Sequence, residues 1–261
     1  MKEIFEGIFM SGHSKWSQIK HKKGLSDTRK GAQFSKLVNA IAIAAREGGD
    51  DPASNFKLRL AIEKAHEANM PKENIERAIQ KGAGKLEGTK LEEITYEGFG
   101  PQQIAFIVKA VTDNKNRTNA EIKNIFSRNG GRLANTGSVS WLFNNLGLIR
   151  LENLTDKQQQ AELAAIDAGA QDVKEEDSAI LIYTNPRQLA QVKENLSSQN
   201  FEISSAELSL EPKNLVKITD PEAAKQILKL ADELDNQPET MAVYANFDIP
   251  DEIIKEQERA S

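Results

Sequence analysis

Apolar residues in the first third of the chain recur at three- and four-residue intervals, the spacing of one helix face. Phe34, Leu37, Val38, Ile41 and Ala45 predict an amphipathic helix over about 28–46, stopped by Gly48-Gly49. Leu58, Ile62 and Ala65 repeat the pattern over 55–68. Pro71 stands where a first helical residue would, ahead of Ile75, Ala78 and Ile79. Three short helices can share one apolar core, and Gly82-Ala83-Gly84 closes the unit and begins a linker.

The period then changes. Residues 94–99 and 104–112 read as strands joined by the turn composition Gly98-Phe99-Gly100-Pro101. Thr118 and Glu121 have capping-box spacing and are expected to open a helix carrying Ile122, Ile125 and Phe126. Gly130-Gly131 ends it, and 138–143 reads as the next strand. Beyond Leu146 come a strand at 148–151 and a helix capped by Thr155 and Gln158 that runs to about Ala168. Strands at 171–174 and 179–184, a helix from Asn185-Pro186 to about Ser198, and a strand at 201–205 follow. That order is β-α-β-β-α-β, a ferredoxin-like unit complete in itself. After it stand a strand within 208–218, a helix opened by Asp220-Pro221, and a strand at 241–247.

The pieces on either side of this unit each supply half of a domain. Joined, they make a second α+β sandwich, so the third domain is expected to be inserted into the second. Two consecutive domains are the alternative, and they would leave each half-sheet with an uncovered edge. The expected fold class is α+β: an N-terminal three-helix domain at 10–84, then two ferredoxin-like α/β sandwich domains, one inserted in the other. The discontinuous domain takes 85–143 plus 207–250 and the inserted one 144–206. Residues 1–9 form an N-terminal extension and 251–261 a C-terminal tail.

Composition narrows the function. A length of 261 residues suits about two domains, and 39% hydrophobic with 28% charged residues is ordinary for a globular chain. The absence of cysteine excludes disulfides, thiol catalysis and zinc–thiolate sites, and fits a reducing compartment. The longest apolar run, near 37–45, is broken by Asn39 and is too short to span a bilayer. Glu3 and Glu6 interrupt the apolar N-terminus and argue against a signal peptide. The expected location is cytoplasmic, with no membrane partner.

Net charge is −5, which alone argues against nucleic acid, but its distribution reverses that reading. Between Ser11 and Lys36 lie Lys15, Lys20, Lys22, Lys23, Arg29, Lys30 and Lys36, opposed only by Asp27. Seven cations less one anion leave that segment at +6 and the remainder at −11. A basic arm on an acidic body is the pattern of a localised polyanion site, and a solvated lysine face is the plainer alternative. Lysine ammonium groups neutralise phosphates and release counterions, and an aromatic plane stacks on an unpaired base. Trp16 beside Lys15 can do this, or it can anchor the arm on the helices. His21 among Lys20, Lys22 and Lys23 suits contact with phosphate or base. Lys72, Arg77 and Lys81 can extend the positive face, although acids are interleaved with them. A second polar site is Asp113, Asn114, Lys115, Asn116 and Arg117, at a strand-to-helix junction.

The search for catalysis comes back nearly empty, and no enzyme, cofactor or metal is expected. His13, His21 and His66 are the only histidines, and the first two lie among lysines without nearby carboxylates. The glycines of 82–88 fail both phosphate-loop spacings and follow a helix. Thr136-Gly137-Ser138-Val139-Ser140 lacks the second glycine of a nucleophile elbow.

Several of these motifs together resemble the YebC/PmpR family. They are Ser11-Gly12-His13-Ser14-Lys15-Trp16, Ile19-Lys20-His21-Lys22-Lys23, the run from Asn69-Met70-Pro71 to Ile79, Tyr96-Glu97-Gly98-Phe99-Gly100-Pro101, 112–118, Gly130-Gly131, and Gly137-Ser138-Val139 with Trp141. The likeness runs from Met10 to about Phe247. Two departures stand out: residues 1–9 precede the usual start, and Lys115 replaces a usual arginine. The resemblance implies a three-domain α+β fold and a DNA-binding transcriptional regulator in the cytoplasm. It also implies an alternative, since related members act in translation at the ribosome, notably on proline-rich stretches. The expected partner is therefore nucleic acid: DNA, or ribosomal RNA and the ribosome. The sequence sets no oligomeric state and allows a monomer.

Overall fold

In the computed structural model, residues 27–86, 91–152, 154, 157–176, 179–250 and 252–253 are described, with side chains from Phe34 onward apart from Phe56 and Glu176. The extension at 1–9, Thr155 and most of the tail at 251–261 lie outside the described residues. The chain divides into two compact units, Met1–Leu142 with Pro212–Ser261, and Phe143–Glu211.

The first unit opens with α1 (Asp27–Gly48), α2 (Phe56–Glu67) and α3 (Lys72–Gly82). The repeating apolar positions do meet: Ile41, Ala45, Leu58, Ala65, Ile75 and Ala78 share one core. Asn55 links two helices, since its Oδ1 accepts the Leu58 N–H while its Nδ2 donates to the carbonyls of Ala44 and Gly49. Pro71 sits one residue before α3, as its cap position. Gly82 lets α3 touch α1, for a Cβ there would stand 2.0 Å from the Ala42 carbonyl oxygen.

Strands β1 (Glu92–Phe99), β2 (Ala105–Thr112) and β3 (Arg132–Ala134) follow, with α4 (Lys115–Arg128) between the last two. Much later come α7 (Pro221–Asp235) and β9 (Thr240–Ala245), and the sheet order is β3-β1-β2-β9. Both β1 neighbours and the β2–β9 pair are antiparallel. β2, α4 and β3 thus form a split β-α-β whose central strand, β1, arrives through the β1–β2 hairpin. Phe106, Val108, Ile122, Phe126, Ile227 and Leu230 fill the core on the helical side. Ala42 of α1 packs with Leu91 and Val111 in a separate small cluster. Asp220 caps α7 through the N–H groups of Glu222 and Ala223, with Pro221 in its first turn. Short β8 (Val216–Lys217) pairs in parallel with β10 (Phe247–Asp248).

The second unit runs β4 (Phe143–Leu151), α5 (Gln158–Asp167), β5 (Asp172–Glu176), β6 (Ala179–Thr184), α6 (Leu189–Ser198) and β7 (Ile203–Pro212). Its sheet order, β5-β6-β4-β7, is the ferredoxin-like order, around a core of Ile149, Leu151, Ile180, Ile182, Val192 and Leu196.

Four expectations need correction. Thr118 is not a cap: α4 begins at Lys115, and Asn114 caps it by accepting the Arg117 N–H. Residues 138–142 are not a strand, because Ser140–Leu142 is a 3₁₀ turn; the short β3 lies before them and β4 begins at Phe143. The strand placed at 201–205 and the first part of the one placed within 208–218 are one strand, β7, ending at Pro212, and the rest of that span holds the short β8. Lys157, without a side-chain cap bond, precedes α5.

The β1–β2 turn carries an unusual backbone. Gln102 and Gln103 both hold positive φ, at 56° and 58°. A Cβ there crowds the carbonyl, which costs on the order of 1 kcal/mol per residue. Gln102→Gly should therefore raise stability by about 0.5–1 kcal/mol, whereas Gln102→Ala, which keeps the Cβ, should leave it unchanged. Urea melts of the two variants check this, and equal effects would refute the backbone explanation.

Candidate nucleic-acid interface

Lys15, Trp16, Lys20, His21, Lys22 and Lys23, the core of the expected arm, lie outside the described residues. Arg29 and Lys30 lie on the first turns of α1, and their side chains are outside the described ones. The remaining members separate into two kinds. Lys72 and Arg77 are exposed on α3, opposite the buried Ile75 and Ala78, and Lys72 stands 3.5 Å from Glu76. Both can meet a polyanion without rearrangement. Lys36 is different. Its ammonium donates to Asp235 at 2.8 Å, with side chains only 19% and 11% exposed, so it ties α1 to α7.

Lys81 joins the two predicted sites. It donates to Asp113 at 3.2 Å, and Asp113 also accepts from Arg117 at 3.2 Å. Arg117 reaches on to Glu239, just before β9. Thr118 donates to Glu239 at 2.6 Å, Thr112 at 2.9 Å, and Gln237 at 3.2 Å. Burial opposes ionisation of Glu239, but the Thr118, Arg117, Thr112 and Gln237 donors outweigh it and hold the carboxyl below its ordinary value. Asp113 is likewise lowered, burial being overcome by Lys81 and Arg117. Glu239 in turn raises Arg117. Two cations face two carboxylates here, so the network is balanced and fastens α3, α4 and β9 together. Asn114 is committed to capping, Lys115 pairs with Glu92 at 3.2 Å, and Asn116 is exposed. The second polar site is thus largely a structural joint, one that leaves Asn116 facing outward.

Sequence reasoning missed another constellation. Glu97, on β1 and 3% exposed, accepts backbone N–H groups from Gly137 at 2.8 Å, Val139 at 2.7 Å and Ser140 at 3.0 Å. Burial opposes its charge, and those three donors overcome it and leave the carboxyl below its usual range. The loop so pinned presents Trp141, 64% exposed. Nearby on the sheet, the Arg132 guanidinium lies 4.8 Å from the Phe99 ring centre. The clue in the sequence was the one charged residue inside a strand end that is otherwise apolar.

Among the described residues no group of histidine, aspartate or glutamate is arranged to hold a metal ion. No helix among them is long and apolar enough to cross a membrane.

Two family models match the chain: the TACO1/YebC protein N-terminal domain over residues 14–85, and the TACO1/YebC second and third domain over residues 91–247. A "probable transcriptional regulatory protein" of Halothermothrix orenii is 47% identical over 249 residues, 95% of this chain and 98% of that one. Another so described, from Thermoanaerobacter pseudethanolicus, is 49% identical over 245 residues, 93% of this chain and 99% of its own. The crystal structure of a conserved hypothetical protein from Aquifex aeolicus is 44% identical, with a TM-score of 0.79, over 90% of this chain and 97% of that one. The chain belongs to the TACO1/YebC family.

Proposed function

We propose that this chain is a DNA-binding transcriptional regulatory protein of the cytoplasm, acting by binding and not by catalysis. The observation that carries this is the run of seven cations against one acid between Ser11 and Lys36, in a chain otherwise at −11. The names of its relatives point the same way. Exposed Lys72 and Arg77 on α3 can extend the contact.

One observation favours a second reading, a translation factor that binds ribosomal RNA. In the arm, five lysines accompany Arg29 between Lys15 and Lys30, and lysine suits phosphate contact more than paired hydrogen bonds to base edges. An arm of point charges draws its specificity from the shape of its partner. Competition binding at about 150 mM salt, with sucrose-gradient sedimentation of cell extract, separates the two. Selection of one duplex sequence by roughly 10³-fold or more over random DNA supports the transcriptional reading. Preference for structured RNA and co-sedimentation with ribosomes, lost on Lys20→Glu/Lys22→Glu/Lys23→Glu, would replace it with the second.

A further inference from the structure

We infer that Trp141 is a stacking surface for an unpaired nucleobase, with Arg132 and Lys213 as the cations beside it; this rests on the nucleic-acid reading above.

The loop that carries Trp141 is held at several points. Gly137 has φ +88° and begins the run of three N–H groups donated to Glu97. Val139 is fully buried, and the Leu142 N–H donates to the Val139 carbonyl at 2.9 Å. The Lys213 N–H donates to the Leu142 carbonyl at 2.8 Å. Trp141 stands between these fixed residues, yet its side chain faces outward. Its indole N–H is already satisfied by the Ser138 carbonyl at 3.0 Å, so the ring faces remain for a partner. Holding an aromatic plane in a fixed attitude removes much of the ordering cost of binding.

The surroundings select the partner's chemistry. From Asn129 to Leu142 the sequence has one arginine, Arg132, and no acid, and from Pro212 to Thr219 it has two lysines and no acid. The Leu142–Lys213 hydrogen bond brings these two acid-free segments together. Lys213 and Arg132 are exposed. Arg132 is the register partner of Phe99, two residues from Glu97, so Arg132 projects from the sheet face on which Glu97 holds the loop. Stacking on Trp141 needs only a π-face, and the cations suit the phosphates on either side of that base. A base inside a duplex has its faces covered, so the ligand is single-stranded.

The chain has two tryptophans, Trp16 and Trp141, so Trp16→Phe leaves Trp141 as the sole indole reporter. This full-length variant is titrated to saturation with oligouridylate RNA, oligothymidylate DNA and a duplex of equal length. Labelled-oligonucleotide anisotropy follows binding independently. We expect either single strand to quench Trp141, the stronger quencher naming the source, and the duplex to leave its emission unchanged. Trp141→Ala in the otherwise unaltered chain should weaken single-strand binding about tenfold at an unchanged melting temperature, and Trp141→Phe should retain most of the affinity. Single strands that bind without changing the emission, and with equal affinity for Trp141→Ala, overturn the assignment but spare the nucleic-acid reading. So does equal quenching by the duplex. Failure of every nucleic acid to bind the unaltered chain removes both.

Discussion

Nucleic-acid binding should weaken on the order of 500-fold as salt rises from about 50 to 200 mM. The figure follows if about five phosphates are neutralised, which sets a logarithmic slope near −4.5 on duplex DNA. The contact is expected to centre on Lys20, Lys22 and Lys23, because they form the densest cluster in the arm. Replacing all three with glutamate shifts the charge of residues 11–36 by six, from +6 to zero. Affinity at low salt should then collapse and the slope flatten. The melting temperature should hold, since the described core of α1–α3 is built from apolar side chains from Phe34 onward and the change exchanges one charged side chain for another. Fluorescence anisotropy across a salt series measures both. An affinity indifferent to salt, or a triple variant that binds normally, would sink the arm as the binding element.

The same cation count would mislead if every lysine were treated alike. Lys36 ends the basic run and Lys81 stands among the residues expected to extend its positive face, but they are paired with Asp235 and Asp113, 199 and 32 residues away. Such partners are invisible along the chain. The regular elements were far more legible. Three helices follow from apolar spacing, and the β-α-β-β-α-β order follows from alternation and turn residues. Its strand pairing, β5-β6-β4-β7, completes that pattern.

Two of the misreadings share one physical cause, a distant group that overrides the local pattern. Thr118 has the type and spacing of a capping residue, yet its hydroxyl serves Glu239 from 121 residues away. Residues 138–143 alternate like a strand, yet Glu97 takes the N–H groups of Val139 and Ser140 that a neighbouring strand would have taken. β3 has only three residues, too few for a period to show. A break was placed after Ser205, but β7 continues through it to Pro212.

Glu97 should prove the costliest single carboxylate to remove from the first unit. Its two oxygens accept three backbone N–H groups, and one of them belongs to the fully buried Val139. Water cannot replace the carboxylate at Val139, and it can do so only in part at the more exposed Gly137 and Ser140. Glu97→Ala should therefore cost about 3 kcal/mol, from one orphaned buried donor and the loss of charge-assisted bonds to the other two. Glu97→Gln is the sharper test, because it keeps the shape. One oxygen becomes an NH₂ facing another donor, so about 2 kcal/mol should still be lost at neutral pH. The pH dependence follows from the direction of the shift. The folded-state carboxyl is held below the ordinary 4.5, so its contribution is fully present above that value and fades as pH falls through and below it. Wild type and Glu97→Gln should accordingly differ most at pH 7 and converge in acid, as wild type becomes protonated and loses the same bonds. Urea melts of both proteins at neutral pH and at about pH 3.5 give the comparison, other carboxylates cancelling in the difference. A gap of the same size at both pH values would mean that packing, not the charge of Glu97, holds the loop that displays Trp141.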